Sequence, residues 1–261
     1  MTNFAAAAEY LQAAADENML YDLPGLGQYV AGDFTTPTGT SLLVEYCEAH
    51  VLTDGGERLL RSLRAHFPGT RHVQLRTTAA VELTRPWFGD LTYLCHEGAP
   101  PAAPPSSVRR SGPHEDALIR AWLVQALRSG ADVRGKPADS ASLDAAAGEI
   151  LANEGRESWV WMAEGVPVGH ATLQTNAYDA VTATSYVELE DILIDPPYQR
   201  SAMGDLVAAC VHRSAQLGLP LVGNVVHAVS DPDASEQVIA KLEGRGWRPD
   251  YRIWRCDLTA V

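Results

Sequence analysis

A chain of 261 residues with 46% hydrophobic and 20% charged side chains can build one large or two small globular cores, which excludes a disordered or fibrous protein. Its formal net charge of −13, from 20 basic against 33 acidic residues, speaks against nucleic acid and anionic lipid as partners, because phosphate backbones demand clustered Lys and Arg. No apolar run reaches the ~18 residues of a membrane span, the four cysteines (Cys47, Cys95, Cys210, Cys256) show neither a disulfide framework nor zinc spacing, and the first residues lack a basic signal region, so a cytoplasmic protein without a metal site is expected.

In chain order, the alanine-rich stretch from Phe4 to Glu17 has helical propensity, Ser41 to Cys47 reads as a strand, and Glu57 to Phe67 places Leu59, Leu60, Leu63 and Phe67 at helical spacing behind Asp54-Gly55-Gly56. His72 to Arg76 resumes strand character, a short helix is expected next, and Leu91 to Cys95 forms a last strand. Gly25-Leu26-Gly27 lacks the third glycine and the preceding strand of a dinucleotide fingerprint and is rejected as one. Residues 98 to 106, rich in proline and alanine, form the expected linker between a smaller α/β domain over 1–97 and a second domain over 107–261.

Beyond the linker, Val108 to Arg110 is a short strand, followed by helices over Pro113 to Ser129, ended by Gly130, and over Ser142 to Asn153. Ser158 to Ala163 and Val168 to Gln174 form a hairpin through Glu164-Gly165-Val166-Pro167, in which His170 reads as hairpin surface or core. Tyr186 to Ile194 is a further strand, Met203 to Leu217 an amphipathic helix stopped at Gly218, and Leu221 to Val229 a buried-type strand. Asp233 with Glu236 suggests a capping box opening a helix that runs to Glu243, and Tyr251 to Leu258 closes the chain as a strand. This mixed order is not a simple βαβα repeat.

The chemistry is concentrated between Glu188 and Leu206. A strand ending Ile192-Leu193-Ile194 feeds a stretch of small residues, Gln199-Arg200-Ser201-Ala202-Met203-Gly204, ahead of a helix whose leading N–H groups lack intrahelical partners. Helix dipole and small side chains together suit a pyrophosphate. Glu188 and Glu190, two apart on the feeding strand, share one face, whereas Asn224 and His227 on the partner strand point to opposite faces.

These residues resemble motif A of the GNAT superfamily of N-acetyltransferases, with Gln199, Ala202 and Gly204 at the defined positions of its loop. Trp159 to Leu173 is similar to the family's preceding hairpin, and Leu242-Glu243-Gly244-Arg245-Gly246-Trp247 to its motif B ending, so the resemblance spans nearly all of 107–261. It implies an α/β fold, a GNAT-type mixed sheet with a splayed parallel strand pair, and acetyl-CoA or another acyl-CoA as the bound cosubstrate. It further implies main-chain contacts to the pantetheine arm from Leu193 and Ile194, and contacts to the pyrophosphate end from Gln199, Arg200, Ser201, Ala202, Met203, Gly204 and Asp205. Ser235 stands where the family has an asparagine, and Leu242 where it often has a proton-donating tyrosine.

Direct transfer in a ternary complex needs a base and an acid. The family often places its base where Glu190 and Glu188 lie; His227 is the candidate acid in place of Leu242, ahead of Tyr251 and Tyr198. The expected acceptor is a small amine or amino acid-like metabolite, served by a monomer or homodimer; the alternative is an inactive acyl-CoA-binding protein. The segment over 41–97 looks like the second half of a GNAT unit without its full phosphate loop, which suggests a degenerate tandem copy.

Overall fold

The computed structural model describes residues 5–36 and 39–260; Phe4, where the first helix is expected to begin, lies outside them. The elements run α1 (Ala8–Asp16), β1 (Leu20–Leu23), β2 (Gly27–Thr36), β3 (Gly39–Cys47), α2 (Glu57–His66), β4 (His72–Thr78) and β5 (Phe88–His96). They continue through β6 (Val108–Arg110), α3 (Asp116–Val133), α4 (Ser140–Ala152), β7 (Arg156–Ala163), β8 (Val166–Asp179), β9 (Thr184–Ile194), α5 (Gln199–Leu217), β10 (Leu221–Val226), α6 (Pro232–Glu243) and β11 (Trp247–Asp257). No helix among the described residues is long and apolar enough to cross a membrane.

The chain divides into two compact units that are not continuous in sequence. The first comprises Met1–Tyr93, Asp179–Thr184 and Pro249–Val261; the second comprises Leu94–Tyr178 and Ser185–Arg248. In the first, the strand order is β1-β2-β3-β4-β11, with β3 and β4 parallel and the rest antiparallel. Leu59, Leu60 and Leu63, one stripe of α2, pack on Leu42, Val44, Val73 and Leu75 from β3 and β4, as the three- and four-residue spacing requires.

β1 and β2 have no counterpart in the sequence reading. They are a hairpin turned at Gly25-Leu26-Gly27, where Gly25 and Gly27 both have positive φ, the conformation that favours glycine. The short helix expected between β4 and β5 is absent: residues 79–87 are turns and irregular backbone.

In the second unit the order is β10-β9-β8-β7-β6. β7 and β8 meet through Glu164 and Gly165, both at positive φ, so the turn is two residues long and Val166 already pairs with Ala163. Pro167 therefore sits inside a strand, beside a register shift between Trp161 and Met162 that relieves the ladder of one donor. Helices cover both faces. Alternate strand residues separate them: Val160 packs with Ile119, Trp122 and Leu123 of α3, whereas Glu157 reaches Arg213 of α5 with a two-pronged pair at 2.7 and 2.8 Å. Gly169 is needed because β9 passes so close that an added Cβ would meet the Ile194 Cα and the Leu193 carbonyl oxygen at 3.1 Å.

Several boundaries move. α3 runs through Gly130 to Val133, with Ala131 buried beneath it, instead of ending there. α4 starts two residues early because Asp139 accepts hydrogen bonds from the Ala141 and Ser142 N–H groups. α6 is capped by Asp231, which accepts from the Ala234 N–H, so Asp233 lies in its first turn. α5 begins at Gln199, four residues ahead of expectation, after a short 3-10 turn over Pro196–Tyr198.

Candidate active site

β9 and β10 are parallel neighbours for only two register pairs, Leu221 with Val187 and Val222 with Glu188. Both strands continue, but no ladder joins Leu189–Ile192 to Gly223–Val226. Strand backbone that has lost its neighbour presents N–H and C=O groups ready to pair with an extended chain. The gap is a cavity of about 280 Å3, walled by Leu189, Glu190, Asp191 and Ile192 of β9 and by Gly223, Asn224 and Val226 of β10. Met203 and Val207, one helical turn apart on α5, close one side, and Leu242, Leu94 and Trp247 complete the lining.

Because α5 begins at Gln199, the small-residue stretch Gln199 to Gly204 forms its first turns and is no loop. The N–H groups of Arg200 and Ser201 precede the first i→i−4 bond of such a helix, and no side chain caps its N-terminus. Gln199, Arg200, Ser201, Met203 and Gly204 are exposed, and no atom lies within 4 Å of where a Cβ on Gly204 would sit. Ala202 is fully buried and packs the helix onto the sheet. Asp205 turns inward: its Oδ2 accepts from Ser107 Oγ at 2.6 Å and from Trp161 Nε1 at 2.9 Å, so its charge is spent within the fold and does not face the helix end.

Glu190 lies in the cavity wall. Burial pushes its carboxyl up to about 7, and the nearby charges of Glu188 and Asp191 add to the shift. Glu188 sits at the last paired position of β9 and is also raised by burial, but it is not part of the lining. A carboxyl with a pKa near neutrality can take a proton from an amine at physiological pH, which an ordinary carboxylate does poorly.

Other candidates lie further off. Leu193 packs into the α3–α4 cluster and Ile194 into the α5 cluster, just beyond the lined stretch of β9. His227 is buried past the end of β10, with its Nδ1 4.0 Å from a Glu236 carboxylate oxygen, and does not line the cavity. Ser235 braces that turn: its Oγ donates to the Val226 carbonyl at 3.3 Å and accepts from the Ala228 N–H at 3.1 Å. Tyr198 packs near Trp161, and Tyr251 belongs to the first unit. Leu242 does line the cavity, so no proton donor stands at that position.

One cavity residue, Asp191, and the pairing it makes with His170, a histidine read only as hairpin surface or core, escaped the sequence reading. Asp191 lines the cavity beside Glu190, and His170, fully buried on β8, brings its Nε2 within 3.3 Å of Asp191 Oδ2. Nothing in the spacing of 170 and 191 signals the pairing, which arises from the adjacency of β8 and β9. Among the described residues, no cluster of three or more His, Cys, Asp or Glu side chains is arranged to hold a metal.

No protein-family model matches the sequence, and no curated protein matches it. Among solved structures, an acetyltransferase of the GNAT family from Colwellia psychrerythraea aligns over 96% of this chain and 97% of its own, at 12% identity and a TM-score of 0.52. A GCN5-related N-acetyltransferase from Sphaerobacter thermophilus covers 89% of this chain and 77% of its own, at 14% identity and a TM-score of 0.49. An acetyltransferase described as belonging to the GNAT family, from Novosphingobium aromaticivorans, covers 97% of both chains at 10% identity and a TM-score of 0.44. The mixed α/β architecture, together with the whole-length superposition on the Colwellia protein, shows that this chain has the fold of the GNAT acetyltransferases.

Proposed function

We propose that the second unit binds an acyl-coenzyme A, acetyl-CoA being the first to test, and catalyses transfer of its acyl group to the nitrogen of a small amine. The observation that carries this reading is a carboxyl raised to about 7, Glu190, inside a cavity formed where two parallel strands part beside an uncapped helix N-terminus.

The residues present fit such a ligand. The leading amides of α5, with Arg200 as the nearby positive charge, suit the diphosphate; the open flank of Gly204 admits it; Asp205, bonded to Ser107 and Trp161, does not repel it. The unpaired edges of β9 and β10 suit the amide-bearing arm. When bound, the ligand supplies the acyl thioester. An amine with a pKa of ~10 arrives as an ammonium ion, so a base must remove its proton before its lone pair can attack. Glu190, directly or through one water, accepts that proton. With Leu242 unable to donate, the protonated Glu190 is also the acid at hand for the departing sulfur.

A thermal-shift titration with acetyl-CoA, paired with a thiol-release assay over a panel of amines, tests the reading. Binding at a hundredfold excess over Kd stabilises a fold by about 2.7 kcal/mol, which a melting curve resolves. If no acyl-CoA shifts the melt, the proposal fails. Stabilisation without thiol release for any amine would instead support an acyl-CoA-binding protein that is not a transferase.

We infer, further, that the first unit is a copy that lost its ligand. It repeats the order strand, neighbouring strand, helix, parallel strand (β2, β3, α2, β4 against β8, β9, α5, β10). At the start of α2, however, Asp54 already accepts from the Gly56 N–H at 3.1 Å and the Arg58 N–H at 3.2 Å. The donors a phosphate would use are occupied by the chain's own carboxylate.

A further inference from the structure

Glu190 and Asp191 are successive residues of β9, and a strand sends such neighbours to opposite faces. Both nonetheless line the cavity, because the parted strands leave it open through the sheet. Asp191 falls on the α3 face: its partner His170 stacks on Trp122 of α3, ring centroids 5.2 Å apart and planes within 5°.

A chain of polar groups leads inward to that histidine. Arg156 Nη2 is held by Asp116 at 2.8 Å, while its Nη1 donates to Ser158 Oγ at 3.2 Å. The Ser158 hydroxyl also lies 2.9 Å from the hydroxyl of its cross-strand partner Thr172, and either of the two can donate. Thr172 Oγ1 in turn shares a hydrogen bond of 3.1 Å with His170 Nδ1, its direction set by the tautomer of the ring. The other ring nitrogen, Nε2, stands 3.3 Å from Asp191 Oδ2. The contact is off hydrogen-bond geometry, and neither atom has another hydrogen-bond partner among the described residues, although His170 is completely buried. The Asp191 carboxylate thus stands at the cavity wall beside a buried ring nitrogen, and among the described residues no lysine or arginine pairs with it.

On the reading that this cavity is an acyl-transfer site, we propose that Asp191, positioned by His170, binds a second cationic group of the acceptor, one that does not react. The attacking nitrogen must be neutral, so an ion pair between it and a carboxylate would oppose the reaction. Asp191 serves catalysis only by holding a charge that persists through the step. The acceptor class is therefore a diamine, or a larger molecule bearing two amino groups, with one end presented to Glu190 and the other anchored on the α3 face.

Isothermal titration of the CoA-loaded protein with 1,5-diaminopentane and with hexylamine, equal in length but differing by one charge, tests this. At saturating CoA the diamine is expected to bind at least about tenfold more tightly, and Asp191→Asn to bring the two within about twofold. His170→Gln, which keeps a side-chain N–H, retains most of the preference; His170→Phe, which keeps the stack on Trp122 and loses the donor, abolishes it. A packing role alone would reverse that ranking. Equal affinities, no binding of either amine, or an unchanged ratio in Asp191→Asn overturn the proposal. A protein that fails to take up CoA at all overturns the acyl-transfer reading beneath it.

Discussion

At the residue scale, Glu190 has consequences for rate and for stability that run in opposite senses with pH. As a base it must be ionised, so kcat/KM is expected to rise through pH about 7 and level off above it. Glu190→Gln should lower kcat by about 10²–10⁴-fold and remove that limb of the profile, which initial-rate measurements across pH 5.5–9 would show. Folding favours the neutral form, because burial lifts this carboxyl from its ordinary 4.5 to about 7. Its contribution to stability is therefore fully present below 4.5 and is lost as pH rises through about 7. Denaturant melts at pH 8.5 should find Glu190→Gln more stable than the parent by about 2 kcal/mol, discounted for partial exposure, and the gap closed at pH 4. A parent at least as stable as the variant at pH 8.5 would show that the carboxylate is compensated by a cation. The carboxylates of β9 were legible in the sequence, since alternation puts Glu188 and Glu190 on one face. Glu190 was placed ahead of Glu188 there; the physical ground for a difference, the end of the ladder to β10 after Glu188, carries no sequence signal.

At the element scale, α5 shows why boundaries mislead. Small residues with a glycine at position 204 read as a loop, yet Pro196 and Pro197 are the stronger signal: proline fixes φ near helical values and suits the start of a helix. The chain takes a 3-10 turn from Pro196 and enters the α-helix at Gln199. The proposed anion site does not depend on this shift, because what it needs is a helix N-terminus, wherever that falls. Arg200→Glu exchanges an exposed charge at this end and should leave the melting temperature within a degree or two while raising the Kd for CoA roughly tenfold, more at low salt than at 0.5 M. Equal loss at both ionic strengths would mean that Arg200 acts through shape. Asp205→Asn probes the opposite case. It weakens the charge-assisted bonds to Ser107 and Trp161 and should cost about 1–2 kcal/mol of stability in urea melts with little change in CoA affinity. A rise in Kd as large as that of Arg200→Glu would place this carboxylate in the ligand site. The order of elements after residue 107 was legible from periodicity because each is long and strongly patterned. β1 and β2 were missed because Leu20–Leu23 is short and Val30 and Ala31, adjacent in sequence, are both buried at a register shift, which breaks the two-residue rhythm.

At the scale of the whole molecule, the two units share an order of elements and differ in what stands at the start of the helix between their parallel strands. No compositional signal discloses that Pro249–Val261 belongs with the first unit, since β11 finds its partner in β4, over 170 residues earlier in the chain: Tyr251 pairs with Thr78 and Asp257 with His72. Long-range pairing of this kind is set by the fit of strand edges and leaves no local trace. The sequence does carry the decisive local difference. Asp54 precedes two glycines at positive φ and folds back as an internal anion over α2, whereas α5 is preceded by prolines and tyrosine and has no carboxylate folded over its end. A carboxylate already bonded to two leading amides both occupies the donors and repels a diphosphate. Calorimetric titration with CoA should thus give one site per chain. Asp54→Asn removes the repulsion but keeps an oxygen that can accept from Gly56, and the Gly56 backbone also lies against the Trp87 ring, where an added Cβ would meet Nε1 at 3.0 Å. The variant is therefore expected still to bind one CoA, with stability lowered by about 1 kcal/mol through the weakened cap. A second site in the parent, of any affinity, would show that the first unit is a working copy and that the Asp54 turn opens to admit its ligand.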